Sequence, residues 1–280
     1  MNGDRPVPNF LYIGTSKAGS TWLFNTLAVH PEVFLASDKG LYYFDSQYSK
    51  GQDWYLEHFA GARSYGASGE ISHSYLSSDE APSRIAALNP GMRLLVCLRE
   101  PVDRAFSDYL DLVKNQQHDG SFETALERFP RLLGRGHYAR YLKQYRQHFP
   151  DEQMLVQLFD DLKTDPQRYA DECFKFLGVG PLTLAPAALK RRMVAGTPRN
   201  AGLASAAGSA SVVAKRLGLR KLRSRVKRST VVRQALYRPY GADRPTLDPA
   251  LAAQLRGQFA DEVRELDALL GVPVAQRWGY

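Results

Sequence analysis

The chain of 280 residues contains only two cysteines, which excludes a fold held together by many disulfides and a zinc site built from several thiolates. Cys97 and Cys173 both lie in apolar runs, a setting that predicts buried free thiols; a single disulfide between them is the alternative. The six histidines are scattered without the spacing of metal ligands. We therefore expect no metal site.

Long hydrophobic runs are also missing from the sequence. No stretch approaches the roughly 18 consecutive apolar residues that a membrane-spanning helix needs. The segment Met1 to Asn9 lacks the basic-then-apolar order of a signal peptide, so we expect a cytoplasmic protein. With 44% apolar side chains the chain can bury a sizeable core, which favours one domain over residues 1–280.

Acidic residues are absent from one long segment of the chain. Between Cys173 and Ala242 there are 15 Lys and Arg and no Asp or Glu, whereas the remainder has 22 basic against 29 acidic residues. This segment therefore supplies the whole basic excess behind the net charge of +8. We expect residues 181–245 to form a basic, mobile cover segment within the single domain.

The basic stretch has several interpretations. The positive charges of Lys215 to Arg238 could attract an anionic ligand, or residues 212–238 could contact an acidic membrane peripherally. A solvated helix face is the simplest alternative. A basic module that binds nucleic acid is a further alternative. However, no aromatic residue lies between Lys190 and Ser229, where single-stranded nucleic acid would need stacking partners. We expect no nucleic-acid partner.

Short apolar runs alternate with helical segments through residue 180. This alternation predicts an α/β fold, a three-layer sandwich with a mostly parallel central sheet and a P-loop-like nucleotide-binding architecture, with ligands at the carboxyl ends of the strands. The predicted strands are 10–14, 65–71, 92–98 and 154–159, and the predicted helices are 20–29, 79–89, 102–115, 122–129, 138–148, 165–177, 212–238 and 248–270.

The loop Gly14 to Trp22 joins the first predicted strand to the first helix, which we expect Ser20 or Thr21 to cap. It offers small residues, the lysine Lys17 and two hydroxyls, which suit a phosphate group held by backbone N–H groups at a helix N-terminus. Its lysine precedes the second glycine, whereas a Walker loop places lysine after that glycine. The register therefore argues against a nucleotide kinase, and a purely structural turn is the remaining alternative.

A second charged motif follows the predicted strand 92–98. Arg99 leaves the strand end, and Ser107 lies about two turns into the next helix, so that a guanidinium and a hydroxyl can converge on one phosphate. A simple helix start at Pro101 is the alternative. Each of the two motifs directly follows a predicted strand.

Together these motifs resemble those of the sulfotransferases that use 3′-phosphoadenosine 5′-phosphosulfate (PAPS). Lys17 to Trp22 is similar to the family's 5′-phosphosulfate loop, and Arg99 to Ser107 is similar to its 3′-phosphate motif. The resemblance implies that PAPS is the co-substrate and that Arg199 reaches the 3′-phosphate from the basic segment. The donor-binding residues that it implies are Lys17, Ala18, Gly19, Ser20, Thr21, Trp22, Arg99, Ser107 and Arg199.

Weaker matches extend the resemblance to the branch that includes heparan sulfate sulfotransferases and bacterial relatives. They are Lys39 to Asp45, Gln52 to Tyr55 and Gly136 to Tyr138. They imply that Lys39, Trp54 and Tyr138 contact the sulfuryl group or the acceptor; solvation of Lys39 and simple packing of the two aromatic residues are the alternatives.

The resemblance also implies in-line transfer at sulfur, with a cation at the leaving oxygen and a base at the attacking hydroxyl. Lys17 is the candidate cation. The branch places a glutamate where this chain has Gly40, so the usual base is missing. His73, which resembles the histidine base of cytosolic sulfotransferases, is the predicted substitute, with Glu70 and Asp38 in reserve. The alternative is that His73 only fills a loop.

The sequence therefore predicts a PAPS-dependent sulfotransferase that needs no metal. The expected acceptor is a hydroxyl group of a small metabolite, a natural product or a glycan. The alternatives are a basic module that binds nucleic acid or acidic membranes, and a nucleotide kinase-like phosphotransferase.

Overall fold

A computed structural model describes residues 5–189, 196–198, 237–239 and 245–280 of the chain. Its centre is a sheet built from β1 Phe10–Gly14, β2 Val33–Leu35, β3 Ala67–Ile71, β4 Arg93–Leu98 and β5 Met154–Leu158. The strands lie in the order β2-β3-β1-β4-β5, and all neighbours are parallel. The predicted mostly parallel α/β fold is confirmed.

Helices cover both faces of the sheet, because side chains point alternately to its two sides along each strand. Leu11 and Ile13 join one buried cluster, whereas Phe10 and Tyr12 join another on the opposite face. The three layers follow from this alternation. The helices are α1 Ser20–Leu27, α2 Gly51–Glu57, α3 Ala81–Leu88, α4 Pro101–Lys114, α5 Phe122–Arg128, α6 Arg131–Gly134, α7 Tyr138–Arg146, α8 Phe159–Thr164, α9 Pro166–Leu177, α10 Pro186–Leu189, α11 Pro249–Leu270 and α12 Val274–Trp278.

The clusters assign these helices to the two outer layers. Buried residues of α3, α4, α7 and α11 belong to the cluster of Leu11, and those of α1 and α9 to the cluster of Phe10. Strand β1 lies in the middle of the sheet, and the chain crosses over it between β3 and β4. A crevice forms at the carboxyl ends of strands where such a crossover reverses the strand order. The fold therefore predicts a ligand-binding crevice at the carboxyl ends of β1, β3 and β4.

Two local predictions differ from the structure. The sequence predicted no strand at Val33–Leu35, which forms the edge strand β2 and is too short to show a periodic pattern. It also predicted that Ser20 or Thr21 caps α1, but the N-cap is Gly19. Both hydroxyls are instead engaged by Lys39, which explains why neither serves as the cap.

The basic cover segment is described only in part. Within it, α10 is followed by two short strands, β6 Gly196–Pro198 and β7 Tyr237–Pro239, which pair antiparallel. The backbone of β6 lies beside α4. Arg199 and nearly all of the predicted membrane contact at 212–238 lie outside the described residues, so these assignments stay predictions. None of the helices in the described part of the chain combines the length and the apolar character needed to cross a membrane.

Gly69 offers a test of the sheet, because β3 passes very close to β1 at this residue. A Cβ atom on Gly69 would lie 2.2 Å from the carbonyl oxygen of Phe10 and 2.7 Å from its ring. We expect Gly69→Ala to lower the free energy of unfolding by about 3 kcal/mol or more, because backbone atoms must separate. Urea unfolding measures this loss.

Gly66→Ala is the matched control, since nothing lies within 4 Å of a Cβ atom at Gly66. It should unfold close to the parent midpoint. A Gly69→Ala variant as stable as the Gly66→Ala variant would contradict the close approach of the two strands.

Candidate active site

Three chain segments meet at the carboxyl ends of β1, β3 and β4. The loop after β1 is joined to β4 by a hydrogen bond from the N–H of Thr15 to the carbonyl of Cys97 (2.9 Å). The end of β3 is joined to β1 by a bond from the N–H of Ser72 to the carbonyl of Tyr12 (3.0 Å). The loop after β1 and the residues that follow β3 and β4 therefore lie together at one edge of the sheet.

The phosphate-binding loop is shaped by Gly19 at the start of α1. Gly19 has a φ of 84°, a left-handed conformation that favours glycine, and a Cβ atom there would lie 2.5 Å from Leu162. Ala18 is buried beside it. The backbone of the loop can consequently approach an anion at the N-terminus of α1, as the sequence predicted.

Trp22 has a structural position at the end of this loop. Its indole N–H donates to the carbonyl of Ala188 (3.0 Å), and its ring meets Tyr169 edge to face. The side chain is buried. Trp22 thus anchors α1 to α10, and its predicted contact with the donor stays a prediction.

Two lysines bring positive charge to the loop. Lys39 Nζ donates to Ser20 Oγ (3.1 Å) and Thr21 Oγ1 (2.5 Å), which places it on the first turn of α1. Lys17 Nζ lies 3.2 Å from Asp111 Oδ1 on α4. Burial and the nearby charge of Lys17 lower the pKa of Lys39 to about 8. Lys17 and Lys39 therefore interact electrostatically, with Lys39 held on the first turn of α1 and Lys17 paired with Asp111 of α4.

Arg99 follows β4 and contacts the same loop. Its Nη1 donates to the carbonyl of Lys17 (3.1 Å), and its guanidinium lies over the ring of Phe159. Tyr138, predicted at the acceptor cleft, is instead fully buried and donates its hydroxyl to the carbonyl of Arg99 (2.8 Å). Tyr138 therefore positions Arg99. Ser107 lies on the second turn of α4 and is half-buried.

Arg104, in the same motif, has a role that the sequence analysis did not identify. Its side chain is fully buried and donates to Ser16 Oγ (3.4 Å), Asp108 Oδ2 (3.3 Å) and the carbonyl of Leu132. A planar guanidinium can serve several acceptors at fixed angles, which an ammonium group cannot do. Arg104 ties the loop to α4 and α6.

Glu70, the reserve base, is a buried organising group at the end of β3. Its carboxylate accepts hydrogen bonds from the N–H of Leu41 (3.2 Å), the hydroxyl of Ser72 (2.6 Å) and the hydroxyl of Tyr75 (2.7 Å). Burial raises its pKa to about 7 despite these donors. Because Ser72 Oγ also accepts from the N–H of Tyr42 (3.1 Å), Glu70 fixes the backbone that follows Gly40.

His73, the predicted base, lies just after β3. Its Nε2 is 2.8 Å from the hydroxyl of Tyr42, and its Nδ1 is buried without a hydrogen-bond partner among the residues that the structure describes. Burial, followed by the charges of Lys39 and Arg135, lowers the pKa of His73 to about 4. The imidazole is therefore neutral at physiological pH, as a general base must be.

The two remaining candidates lie at the margin of the crevice. Trp54 on α2 packs edge to face on His58, and the ammonium of Lys50 lies over its ring. Asp38 is half-buried next to Lys39. The contacts observed for Trp54 are packing contacts within this helix region, and its predicted contact with the acceptor stays a prediction.

The crevice also contains residues that the sequence analysis missed. Tyr42 lies two positions after Gly40 and contacts His73, and Arg135 pairs with Asp108 (3.4 Å) close enough to affect the pKa of both Tyr42 and His73. Arg135 directly precedes the segment Gly136 to Tyr138 that carried one weaker match. For Tyr42 the only signal was its position in the loop that lacks the glutamate.

Comparison with known proteins identifies the family of this site. The family model described as "Sulfotransferase domain" matches residues 8–189. A sulfotransferase from Alicyclobacillus acidocaldarius has the same fold, with a TM-score of 0.71 and 23% sequence identity over 98% of this chain and 100% of that chain. The match spans all of the elements that form the crevice.

Curated relatives agree with this match. The human heparan sulfate glucosamine 3-O-sulfotransferase 3B1 is 32% identical over 64% of this chain and 48% of its own length. The human bifunctional heparan sulfate N-deacetylase/N-sulfotransferase 3 is 32% identical over 62% of this chain and 23% of its own length. The matched region thus spans about half or less of these curated relatives.

The buried carboxyl group of Glu70 predicts a pH dependence of stability. Its folded-state pKa of about 7 lies above the ordinary glutamate value of 4.5, so its contribution to stability is fully present below pH 4.5 and is lost as the pH rises through 7. Glu70→Gln cannot ionise and should avoid this loss. Between pH 5 and pH 8, we expect the free energy of unfolding of the variant to increase by about 2 kcal/mol relative to that of the parent.

Urea unfolding of both proteins at the two pH values measures this difference. Glu127→Gln, which alters an exposed carboxylate, is the control and should show no such gain. An equal pH dependence for the parent and Glu70→Gln would mean that Glu70 is ionised in the folded protein at pH 5.

Proposed function

Because the chain belongs to the sulfotransferase domain family, we propose that it transfers a sulfuryl group from PAPS to an acceptor hydroxyl. The observation that carries the proposal is the position of Lys39 on the first turn of α1, with Lys17 in the preceding loop and Arg99 bonded to the Lys17 carbonyl. Two anion-binding centres joined by one hydrogen bond suit a nucleotide that carries phosphates at both its 3′ and its 5′ positions.

The residues present fit this donor. A Cβ atom at Gly19 would meet Leu162, so only glycine keeps the helix N-terminus open in this conformation. Lys17, Ser20, Thr21 and Lys39 would hold the 5′-phosphosulfate through charge and hydroxyl groups. Arg99 and Ser107 would hold the 3′-phosphate. Arg199, in the part of the chain that is not described, is proposed as a further ligand of this phosphate.

The mechanism follows from the charges in the crevice. The acceptor oxygen attacks sulfur, and negative charge grows on the leaving phosphate oxygen, where Lys17 and the N-terminus of α1 stabilise it. Lys39 neutralises the sulfuryl oxygens. Neutral His73 receives the proton of the attacking hydroxyl, since burial and neighbouring cations keep its imidazole uncharged.

The proposed acceptor is a hydroxyl group of a small metabolite, a natural product or a glycan. The names of the curated relatives describe transfer to heparan sulfate, and their similarity to this chain supports a glycan acceptor among these classes. A nucleotide kinase has less support, because β4 is followed by the basic Arg99 and the Lys17 register differs from a Walker loop.

Titration calorimetry with 3′-phosphoadenosine 5′-phosphate (PAP), AMP and ATP tests the donor site. We expect PAP to bind more tightly than AMP or ATP, because only PAP engages both anion-binding centres. Ser107→Ala should weaken PAP binding about tenfold through the loss of one hydrogen bond to a charged phosphate. It should leave AMP binding unchanged, because AMP lacks the 3′-phosphate.

Ser64→Ala, which removes an exposed hydroxyl group, is the matched control and should leave PAP binding unchanged. ATP binding as tight as PAP binding would overturn the proposal. Equal weakening of PAP and AMP by Ser107→Ala would remove Ser107 from the 3′-phosphate site.

The pH dependence of PAPS consumption tests the roles of His73 and Lys39. With N-acetylglucosamine as the acceptor, kcat/KM should rise as the pH passes about 4, where His73 becomes neutral. It should fall above about 8, where Lys39 loses its proton. Lys39→Arg should move the alkaline limb upward, because a guanidinium stays charged.

His73→Ala is expected to lower the turnover rate by about 10²-fold or more with little change in PAP affinity. The charged groups that bear on His73 are Lys39, Arg135, Asp108 and Lys17. Normal turnover of His73→Ala would transfer the role of base to Glu70 or Asp38. An alkaline limb that does not move in Lys39→Arg would show that another group titrates there.

A further inference from the structure

Tyr42 adopts a backbone conformation that a bulky residue rarely takes. Its φ of 52° lies in the left-handed region, which costs about 1 kcal/mol or more for a non-glycine residue. Two polar contacts hold it there: its N–H donates to Ser72 Oγ (3.1 Å), and its hydroxyl lies 2.8 Å from His73 Nε2. A strained residue that is fixed by contacts within a crevice indicates a functional position.

The ring of Tyr42 occupies the space above Gly40. A Cβ atom on Gly40 would lie 2.6 Å from Cε2, 2.7 Å from Cζ and 2.9 Å from the hydroxyl oxygen of Tyr42. The hydroxyl end of the ring therefore lies where a side chain at position 40 would begin. In the sulfotransferase branch that this chain resembles, position 40 carries the glutamate base. The hydroxyl group of Tyr42 therefore lies where the side chain of that glutamate would begin.

His73 has no nitrogen open to an acceptor. Its Nε2 is engaged by Tyr42, and its Nδ1 is enclosed, with no partner within the described part of the chain. The two rings meet edge to face at 5.4 Å, which directs the tyrosine hydroxyl at the edge of the imidazole. Tyr42 is only half-buried. A proton that reaches His73 from the crevice must consequently pass through the tyrosine oxygen.

We propose that Tyr42 is the acceptor-facing member of a Tyr42–His73 proton relay that replaces the carboxylate absent at Gly40. The relay rests on the proposed sulfuryl transfer. As the acceptor oxygen forms its bond to sulfur, the acceptor proton moves to the oxygen of Tyr42, and the phenolic proton of Tyr42 moves to His73 Nε2. The bond from sulfur to the 5′-phosphate breaks, and its electron pair leaves with the phosphate oxygen of PAP. His73 later returns the proton to solvent through Tyr42.

The electrostatic setting suits this relay. Burial, with Asp45 and Glu70 nearby, raises the pKa of Tyr42 to about 12, so the phenol stays protonated and can accept one proton while it donates another. Arg135 opposes these effects, and its charge favours transient negative charge on the phenolic oxygen. His73 stays neutral and ready to accept. Both groups therefore begin in the required protonation state.

The first test uses the protein without substrate. In protein labelled with ¹⁵N-histidine, His73→Gln identifies the imidazole signals of His73. We expect a neutral imidazole protonated at Nδ1 whose Nε2 signal reports a hydrogen bond. In Tyr42→Phe this signal should move toward that of a free unprotonated nitrogen, whereas Tyr65→Phe, the same change at an exposed ring, should leave it in place. An unchanged Nε2 signal in Tyr42→Phe would overturn the relay.

The second test measures single-turnover conversion of PAPS to PAP with N-acetylglucosamine, whose hydroxyl groups stay protonated at neutral pH. Tyr42→Phe should lower the rate by about 10²-fold, because a general base typically contributes 10² to 10⁴. PAP affinity should be unchanged, which also shows that the variant is folded. Tyr65→Phe should match the parent. The solvent isotope effect, measured across mixtures of H₂O and D₂O, should indicate two moving protons in the parent and one in Tyr42→Phe.

The outcomes separate the two proposals. A parent enzyme that binds no PAP and consumes no PAPS would overturn the sulfotransferase function, and the relay with it. An active parent whose rate is matched by Tyr42→Phe would overturn the relay alone. A slow Tyr42→Phe variant with the two-proton isotope pattern of the parent would assign Tyr42 a packing role and would also overturn the relay.

Discussion

The buried carboxyl group of Glu70 is the interaction on which the arrangement of the crevice depends. It is 1% exposed, and it joins the end of β3 to the loop after Gly40 through Leu41, Ser72 and Tyr75. An acid in such a position is costly unless each oxygen has donors. Leu41 of the loop supplies one of these donors and Ser72 and Tyr75 supply the others, so Glu70 holds the loop against the end of β3.

The anion-binding half of the site was predictable because its signal is local in sequence. Lys17, Gly19 and Ser20 stand within four residues of each other, directly after a strand, and Arg99 follows another strand. Parallel strands bring their carboxyl ends together, so two short motifs were enough to place the two proposed phosphate-binding segments at one edge of the sheet. The strand and helix order could be predicted for the same reason.

The acceptor side was less predictable because it depends on contacts between distant residues. Tyr42 and His73 are 31 residues apart in the sequence. No sequence motif indicates that the ring of Tyr42 fills the space over Gly40. Tyr138 shows the opposite error: its place in a matched segment suggested acceptor contact, whereas its hydroxyl supports the backbone of Arg99. Whether a side chain is buried, and which group it bonds to, depends on the folded chain and not on the local sequence.

The two cationic contacts of the loop differ in their exposure to solvent. Arg104 is completely enclosed where it holds Ser16 and Leu132, while Lys17 and Asp111 are partly exposed, with side chains 25% and 47% accessible. Dissolved ions screen exposed charges and scarcely affect enclosed ones. Ionic strength therefore weakens the electric field of the exposed charges around the loop but scarcely affects the enclosed contacts that set the shape of the loop.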